Sequence, residues 1–182
     1  MRKVILVTGG SRGGKSKYAE ELFKSFDNVL YIATAIVTDS EMEDRIKKHR
    51  ERRNPKWKTY EGYKDLHMAI EGYKEENILL DCVTVMITNL MFEENRDFDK
   101  MTKEEVDSLA LNLQQQFEEF ILKARELNKN LVLVTNEVGY GLVPEYKLGR
   151  IFRDTAGSIN QYIASLSDEV YLVACGLPLK LK

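Results

Sequence analysis

The chain has 182 residues, 43% hydrophobic and 31% charged, with a formal net charge of −2. That balance fits one soluble α/β-sized domain and argues against a surface dominated by nucleic-acid binding. Its two cysteines, Cys82 and Cys175, form no CxxC pair, which excludes a disulfide scaffold or a zinc site evident from spacing, and each reads as a small buried hydrophobe.

In chain order, Val4, Ile5, Leu6 and Val7 make an apolar strand. Gly9, Gly10, Ser11, Arg12, Gly13, Gly14, Lys15 and Ser16 follow, and residues 18–26 continue as a helix. This is the Walker A spacing in its required strand–loop–helix context. Glycine occupies four of the eight loop positions, so several backbone N–H groups can converge on one anion at the positive end of a helix. Lys15 then reaches the β- and γ-phosphates, and the Ser16 hydroxyl holds Mg²⁺.

Residues 28–33 read as a second buried strand, and 41–53 as a charged helix that Pro55 ends by forcing Asn54 out of the helical region. On that helix Arg45, His49 and Arg52 or Arg53 share a face. Such a stretch is either a solvated basic face with an incidental histidine, or phosphate-binding arginines around a nucleophile. Flanking guanidinium groups disfavour the imidazolium, and the neutral ring can attack phosphorus. Residues 57–61 are a short strand and 63–73 a helix, on which His67 is a packing or surface residue.

Residues 78–81 are an apolar strand ending in Asp81, either a carboxylate on the Mg²⁺ side of the site or a cap for the apolar helix 83–92. Thr102 and Glu105 form a capping box. It opens a helix to about 127, with Val106, Leu109, Leu113, Phe117, Phe120, Ile121 and Ala124 on one stripe. Residues 131–135 are the cleanest strand, 145–166 a helix, 170–174 a strand and 179–181 an edge. Between them, the glycine-rich segment 136–144 is a ligand-touching loop or a plain crossover. Arg150, Arg153 and Asp154 pair with one another or reach phosphate.

Alternating strands and helices imply a single α/β domain over 1–182, a mostly parallel sheet with helices on both faces. Ligands in such folds bind beyond the carboxyl ends of the strands. That rule gathers the Gly9 loop, Thr34, Asp81, Asn136 and Glu137. No apolar run approaches the roughly 18 residues that span a bilayer. The first strand starts too early for a secretory leader, so the expectation is a cytoplasmic protein without stable membrane insertion.

Taken together, the blocks resemble the adenosylcobinamide kinase/adenosylcobinamide-phosphate guanylyltransferase family nearly end to end. They are the phosphate loop, Tyr31 to Thr34, Arg45 and Ile46 with His49, Arg53 and Trp57, and Leu79 to Cys82. Thr88 to Leu90, Val134 to Glu145 and Arg150 to Gln161 complete the set, and the last two are far more specific than a Walker A motif. The resemblance implies a RecA-like P-loop fold, a homotrimer, and two reactions. A nucleoside triphosphate, ATP or GTP, phosphorylates adenosylcobinamide. GTP then guanylylates a histidine, and adenosylcobinamide phosphate takes up the GMP.

The family's nucleophile falls on His49, and its nucleotide contacts on the phosphate loop, Thr34, Ala35, Arg50, Glu51, Arg52, Arg53, Glu61 and Asp81. Glu61 or Glu51 is expected to accept the paired N1–H and N2–H₂ donors of guanine. Departures are small: Ser11-Arg12-Gly13 stands where Ala-Arg-Ser is expected, Lys48 where relatives can have histidine, and Asp81 for a glutamate. A P-loop small-molecule kinase without guanylyl transfer is the competing enzyme. A nucleotide-gated module gripping nucleic acid is the non-enzymatic alternative, which the near-neutral charge disfavours.

Overall fold

The computed structural model describes residues 2–36, 47 and 53–182. The expected helix 41–53, with Arg45, His49, Arg50, Glu51 and Arg52, therefore lies almost wholly outside the described residues. Within them the strands are β1 (Val4–Thr8), β2 (Val29–Ala33), β3 (Lys58–Glu61), β4 (Asn77–Asp81), β5 (Asn130–Val134), β6 (Glu169–Ala174) and β7 (Leu177–Lys180). The helices are α1 (Lys15–Leu22), α2 (Leu66–Ala69), α3 (Val83–Phe92), α4 (Lys103–Glu126) and α5 (Lys147–Leu166).

One seven-stranded sheet runs in the order β3-β2-β4-β5-β1-β6-β7, parallel throughout except for the antiparallel β6–β7 hairpin. Period-two alternation divides its side chains between two cores. Leu6, Leu30, Ile32, Ile78, Leu80, Leu131 and Leu133 join α3, α4 and α5 through Met86, Phe117, Phe120 and Ile159. Val7, Val29, Tyr31, Leu79, Val132, Val134 and Val173 face the other way, onto Ala19 and Phe23 beside Trp57. Apolar residues on both faces of each central strand are what a covered parallel sheet requires.

The α4 expectation holds closely. Leu109, Leu113, Phe117, Phe120, Ile121 and Ala124 are its buried residues, and Thr102 and Glu105 make the reciprocal cap. Other boundaries moved. The first helix begins at Lys15, inside the loop motif, because Gly14 takes the left-handed conformation as its N-cap and Lys15 is already helical. The expected helix 63–73 shrinks to α2 and the 3₁₀ turn Ile70–Gly72. There Asp65 caps from the left-handed region with no side-chain hydrogen bond. The last strand is β7, longer than the expected 179–181 edge.

Register aligns the carboxyl ends. Ala33 pairs with both Glu61 and Asp81, Asp81 with Val134, and Val134 with Val7. The interposition of β5 between the phosphate-loop strand β1 and the Asp81 strand β4 is the RecA-like form of the P-loop NTPase fold. Among the described residues no helix is long and apolar enough to cross a membrane.

Candidate active site

At the carboxyl end of β1 the chain turns into a tight cradle. Gly13 N donates to Gly10 O at 3.1 Å and Gly176 N, from the β6–β7 turn, donates to Gly13 O at 2.9 Å. Gly9 has φ 147°, and a Cβ there would sit 2.2 Å from Val173 O; at Gly14, φ is 98° and a Cβ would meet Gly176 Cα at 2.9 Å. The loop is thus moulded against β6 and its hairpin, and both positions need glycine.

Lys15 is 7% exposed, and its Nζ donates to Gly10 O at 2.7 Å. Burial pulls the ammonium below the usual lysine range, and nearby Asp81 partly restores it. A phosphate entering the cradle would replace that single carbonyl acceptor with charged oxygens and compensate the desolvated cation. The ammonium is therefore poised for an anion.

Asp81 ends β4 beside it. Its Oδ2 accepts from Tyr31 Oη at 3.0 Å, and the Arg53 guanidinium lies 3.8 Å over the Tyr31 ring, an arrangement favoured by the ring quadrupole. Burial pushes the Tyr31 phenol well up, as does Asp81, so Tyr31 stays a donor that orients the carboxylate. The Asp81–Cys82 peptide is cis.

Thr34 is buried, and its hydroxyl donates to Cys82 O and accepts from Cys82 N, both at 2.9 Å. Its carbonyl accepts from Asn89 Nδ2 at 2.7 Å and its N–H donates to Asp81 O at 3.2 Å. Thr34 therefore clamps the ends of β2 and β4 together, with its side chain spent on the protein; Ala35 follows beside it. Glu61 is exposed at the end of β3 on the far side of β2.

Beyond β5, Glu137 N donates to Gly9 O at 3.0 Å, and the Glu137 carboxylate accepts from Gly139 N at 2.6 Å. Asn136 Nδ2 donates to Thr84 Oγ1 at 2.7 Å. Asn160 of α5 donates to Asn136 O at 3.1 Å and accepts from Thr135 Oγ1 at 2.7 Å. The segment is thus tied to the phosphate loop, which a plain crossover does not need.

Other expected groups separate from the site. Arg153 pairs with Asp154 at 3.1 Å, and Arg150 donates to the carbonyls of Pro144, at 3.0 Å, and Glu145. Both arginines thus serve the protein here. His67 sits half-buried, 3.6 Å from Glu119. Cys82 is buried, and burial with Asp81 raises its thiol. The expectation for Cys175 is corrected: it is exposed, at φ 53° in the β6–β7 turn, because a two-residue hairpin turn carries it out to solvent. Thr84 and Gly176 had no signal in the sequence, since their partners lie in other elements of the chain.

Among the described residues no three His, Cys, Asp or Glu side chains cluster as a metal cage. Among the described residues, two side chains with hard oxygens are candidates, Ser16 at the start of α1 and Asp81 with its oriented carboxylate. This sparse set fits Mg²⁺, which keeps waters and takes its other ligands from nucleotide phosphates.

Residues 5–181 match a family model described as cobinamide kinase / cobinamide phosphate guanyltransferase. The bifunctional adenosylcobalamin biosynthesis protein CobU of Escherichia coli K12 is 43% identical over 183 residues, covering 98% of this chain and 99% of that one. CobP of Pseudomonas aeruginosa PAO1, also called a bifunctional adenosylcobalamin biosynthesis protein, is 36% identical over 185 residues, covering 100% and 98%. Among solved structures, a KaiC-like protein from Pyrococcus horikoshii OT3 aligns over 93% of this chain and 71% of its own, with a TM-score of 0.49 and 10% identity. That last likeness is loose, and the fold stands on strand order.

Proposed function

The chain belongs to the cobinamide kinase / cobinamide phosphate guanyltransferase family, and on that premise we propose how its site performs both reactions as one nucleotide-binding domain. In the first, the adenosylcobinamide hydroxyl oxygen attacks the γ-phosphorus of a nucleoside triphosphate. The bond from that phosphorus to the β,γ-bridging oxygen breaks, the nucleoside diphosphate leaves, and the hydroxyl proton passes to solvent. In the second, a neutral imidazole nitrogen of His49 attacks the α-phosphorus of GTP and pyrophosphate leaves. A phosphate oxygen of adenosylcobinamide phosphate then displaces the imidazole from that phosphorus, giving adenosylcobinamide-GDP and free His49.

The observation that carries this reading is the cradle: main-chain amides from Gly9 to Ser16 moulded on β6, with Lys15 desolvated beside Asp81. The amides and Lys15 bind the β- and γ-phosphates and hold them still, so that the enzyme acts mainly by position and charge. Ser16 and Asp81 would hold Mg²⁺, which neutralises charge on the triphosphate. Tyr31 and Arg53 fix the Asp81 carboxylate from behind. Arg50, Glu51 and Arg52 are assigned to the nucleotide by the family resemblance, as are Thr34 and Ala35, for which main-chain or apolar contact is the available mode. Glu61 or Glu51 is proposed to read guanine, an idea that unchanged GTP-over-ATP preference in both Gln variants would remove. A homotrimer and a cytoplasmic location complete the proposal.

The deciding experiment incubates the protein with Mg²⁺ and α-labelled GTP, beside His49→Ala and Lys15→Ala. An acid-labile, alkali-stable adduct is expected in the wild type alone. An equal adduct in His49→Ala moves the nucleophile elsewhere. Transfer of γ-phosphate with no adduct leaves the simpler kinase.

A further inference from the structure

Asn136 stands just past the strand that separates the two halves of the phosphate site. Val134 of β5 is in register with Val7 of β1 on one side and Asp81 of β4 on the other. Two residues later, Asn136 is flanked by pinned peptides: Thr135 N donates to Val7 O at 2.9 Å and Glu137 N to Gly9 O at 3.0 Å. Thr135 sends its hydroxyl to Asn160 on the α5 face. Asn136, one position on, points the opposite way, towards Thr84 and Cys82, on the face that carries α1 and Lys15.

The half-buried side-chain amide donates to Thr84 Oγ1 at 2.7 Å, and the main chain that carries it is fixed by Asn160 Nδ2, which donates to the Asn136 backbone carbonyl at 3.1 Å. Among the described residues, that leaves one amide hydrogen with only the Cys82 sulfur, 4.0 Å away. The surroundings are the groups already assigned to phosphate, since Lys15 lies close enough to Asp81 and Cys82 to feel both. A fixed donor with spare capacity, between a phosphate loop and a metal-side carboxylate, is placed where the γ-phosphoryl group leaves the cradle.

We propose that Asn136 donates an N–H to the γ-phosphoryl group as it passes to the cobinamide hydroxyl, with Thr84 as a positioning residue that sets its amide. The inference rests on the kinase reading above and adds a residue specific to one of the two reactions. In phosphoryl transfer the reacting phosphorus is the one Asn136 touches. In guanylylation it is the α-phosphorus, two phosphates away, so the same contact stays remote from the bond that breaks.

The test measures both reactions on the same preparations of wild type, Asn136→Ala, Asn136→Asp and Thr84→Val, with thermal melting alongside. Kinase kcat should fall about 100-fold in Asn136→Ala, the usual loss for one preorganised donor, with the KM for triphosphate within about threefold. Single-turnover guanylyl-enzyme formation should fall by no more than about fivefold, against that roughly hundredfold kinase loss. Asn136→Asp, isosteric and able to fold if the alanine variant melts early, should be at least as impaired because its charge opposes the phosphoryl oxygens. Thr84→Val should show a smaller loss in kcat with the same selectivity. Parallel losses in both reactions, or a kinase kcat within threefold of wild type in Asn136→Asp, would make Asn136 a structural tie and overturn the inference. A wild type that transfers no γ-phosphoryl group at all would instead overturn the kinase reading.

Discussion

Replacing Gly9 by alanine isolates the moulding of the phosphate loop from the chemistry that follows it. At φ 147° the residue lies where L-amino acids rarely sit, and the new methyl would be 2.2 Å from Val173 O. The strained backbone costs about 1–3 kcal/mol. The overlap cannot be relieved by a side chain, because the obstacle is the main chain of β6, held in register to β1 through Leu172 and Thr8. Forcing that ladder open adds about 1–3 kcal/mol, as overpacking generally does. A combined loss of about 2–6 kcal/mol is a large share of the roughly 5–15 kcal/mol that holds a domain together. Gly10 is the internal control, since a Cβ there meets nothing within 4 Å, and alanine should change stability by less than about 1 kcal/mol. Urea unfolding without nucleotide, followed by circular dichroism, reads both. With a slope of about 2 kcal/mol/M, the Gly9→Ala midpoint should drop by roughly 1–3 M. Midpoints for the two variants within about 0.3 M of each other would refute the account of the loop as a backbone-limited mould.

Two further predictions concern groups that shape the site from outside it. Thr34→Val keeps the shape but strands the buried Cys82 N–H, paired to the hydroxyl at 2.9 Å, while the Cys82 carbonyl keeps its bond from Met86 N at 3.1 Å; about 1–3 kcal/mol should be lost, with Thr34→Ser near wild type, and equal urea midpoints for all three would show the clamp to be dispensable. Glu169 is pushed down from 4.5 to about 2 by hydrogen bonds from Lys3 and Tyr171. A depressed carboxylate stabilises above its unfolded value near 4.3 and loses that contribution as pH falls through the folded one. Glu169→Gln should therefore cost about 1–2 kcal/mol at neutral pH, allowing for solvent around Lys3. The gap should close between about pH 4.5 and pH 2, and a gap constant with pH would show that the ion pair contributes nothing.

Several parts of this protein could be read from the residues because they are local in the chain. The α4 stripe and its Thr102–Glu105 cap depend on spacings of three and four residues. The buried strands depend on short apolar runs, and the phosphate loop on glycines beside a strand and a helix. Those signals were enough for an α/β P-loop domain, and the longer blocks around Asn136 and Arg153 pointed to the family. Tertiary structure decided the rest. Only the sheet order brings Asp81 and the phosphate loop to either side of β5 and of Asn136 at its end, only packing shows that Gly9 and Gly14 are shaped by Val173 and Gly176, and only burial turns Thr34 into a clamp and leaves Cys175 in solvent. The physical reason is range. Propensity, capping and periodicity act over a few neighbouring residues, whereas the contacts between the phosphate loop and the β6–β7 turn join positions more than 150 apart in sequence, and no local pattern encodes which distant backbone will be the neighbour.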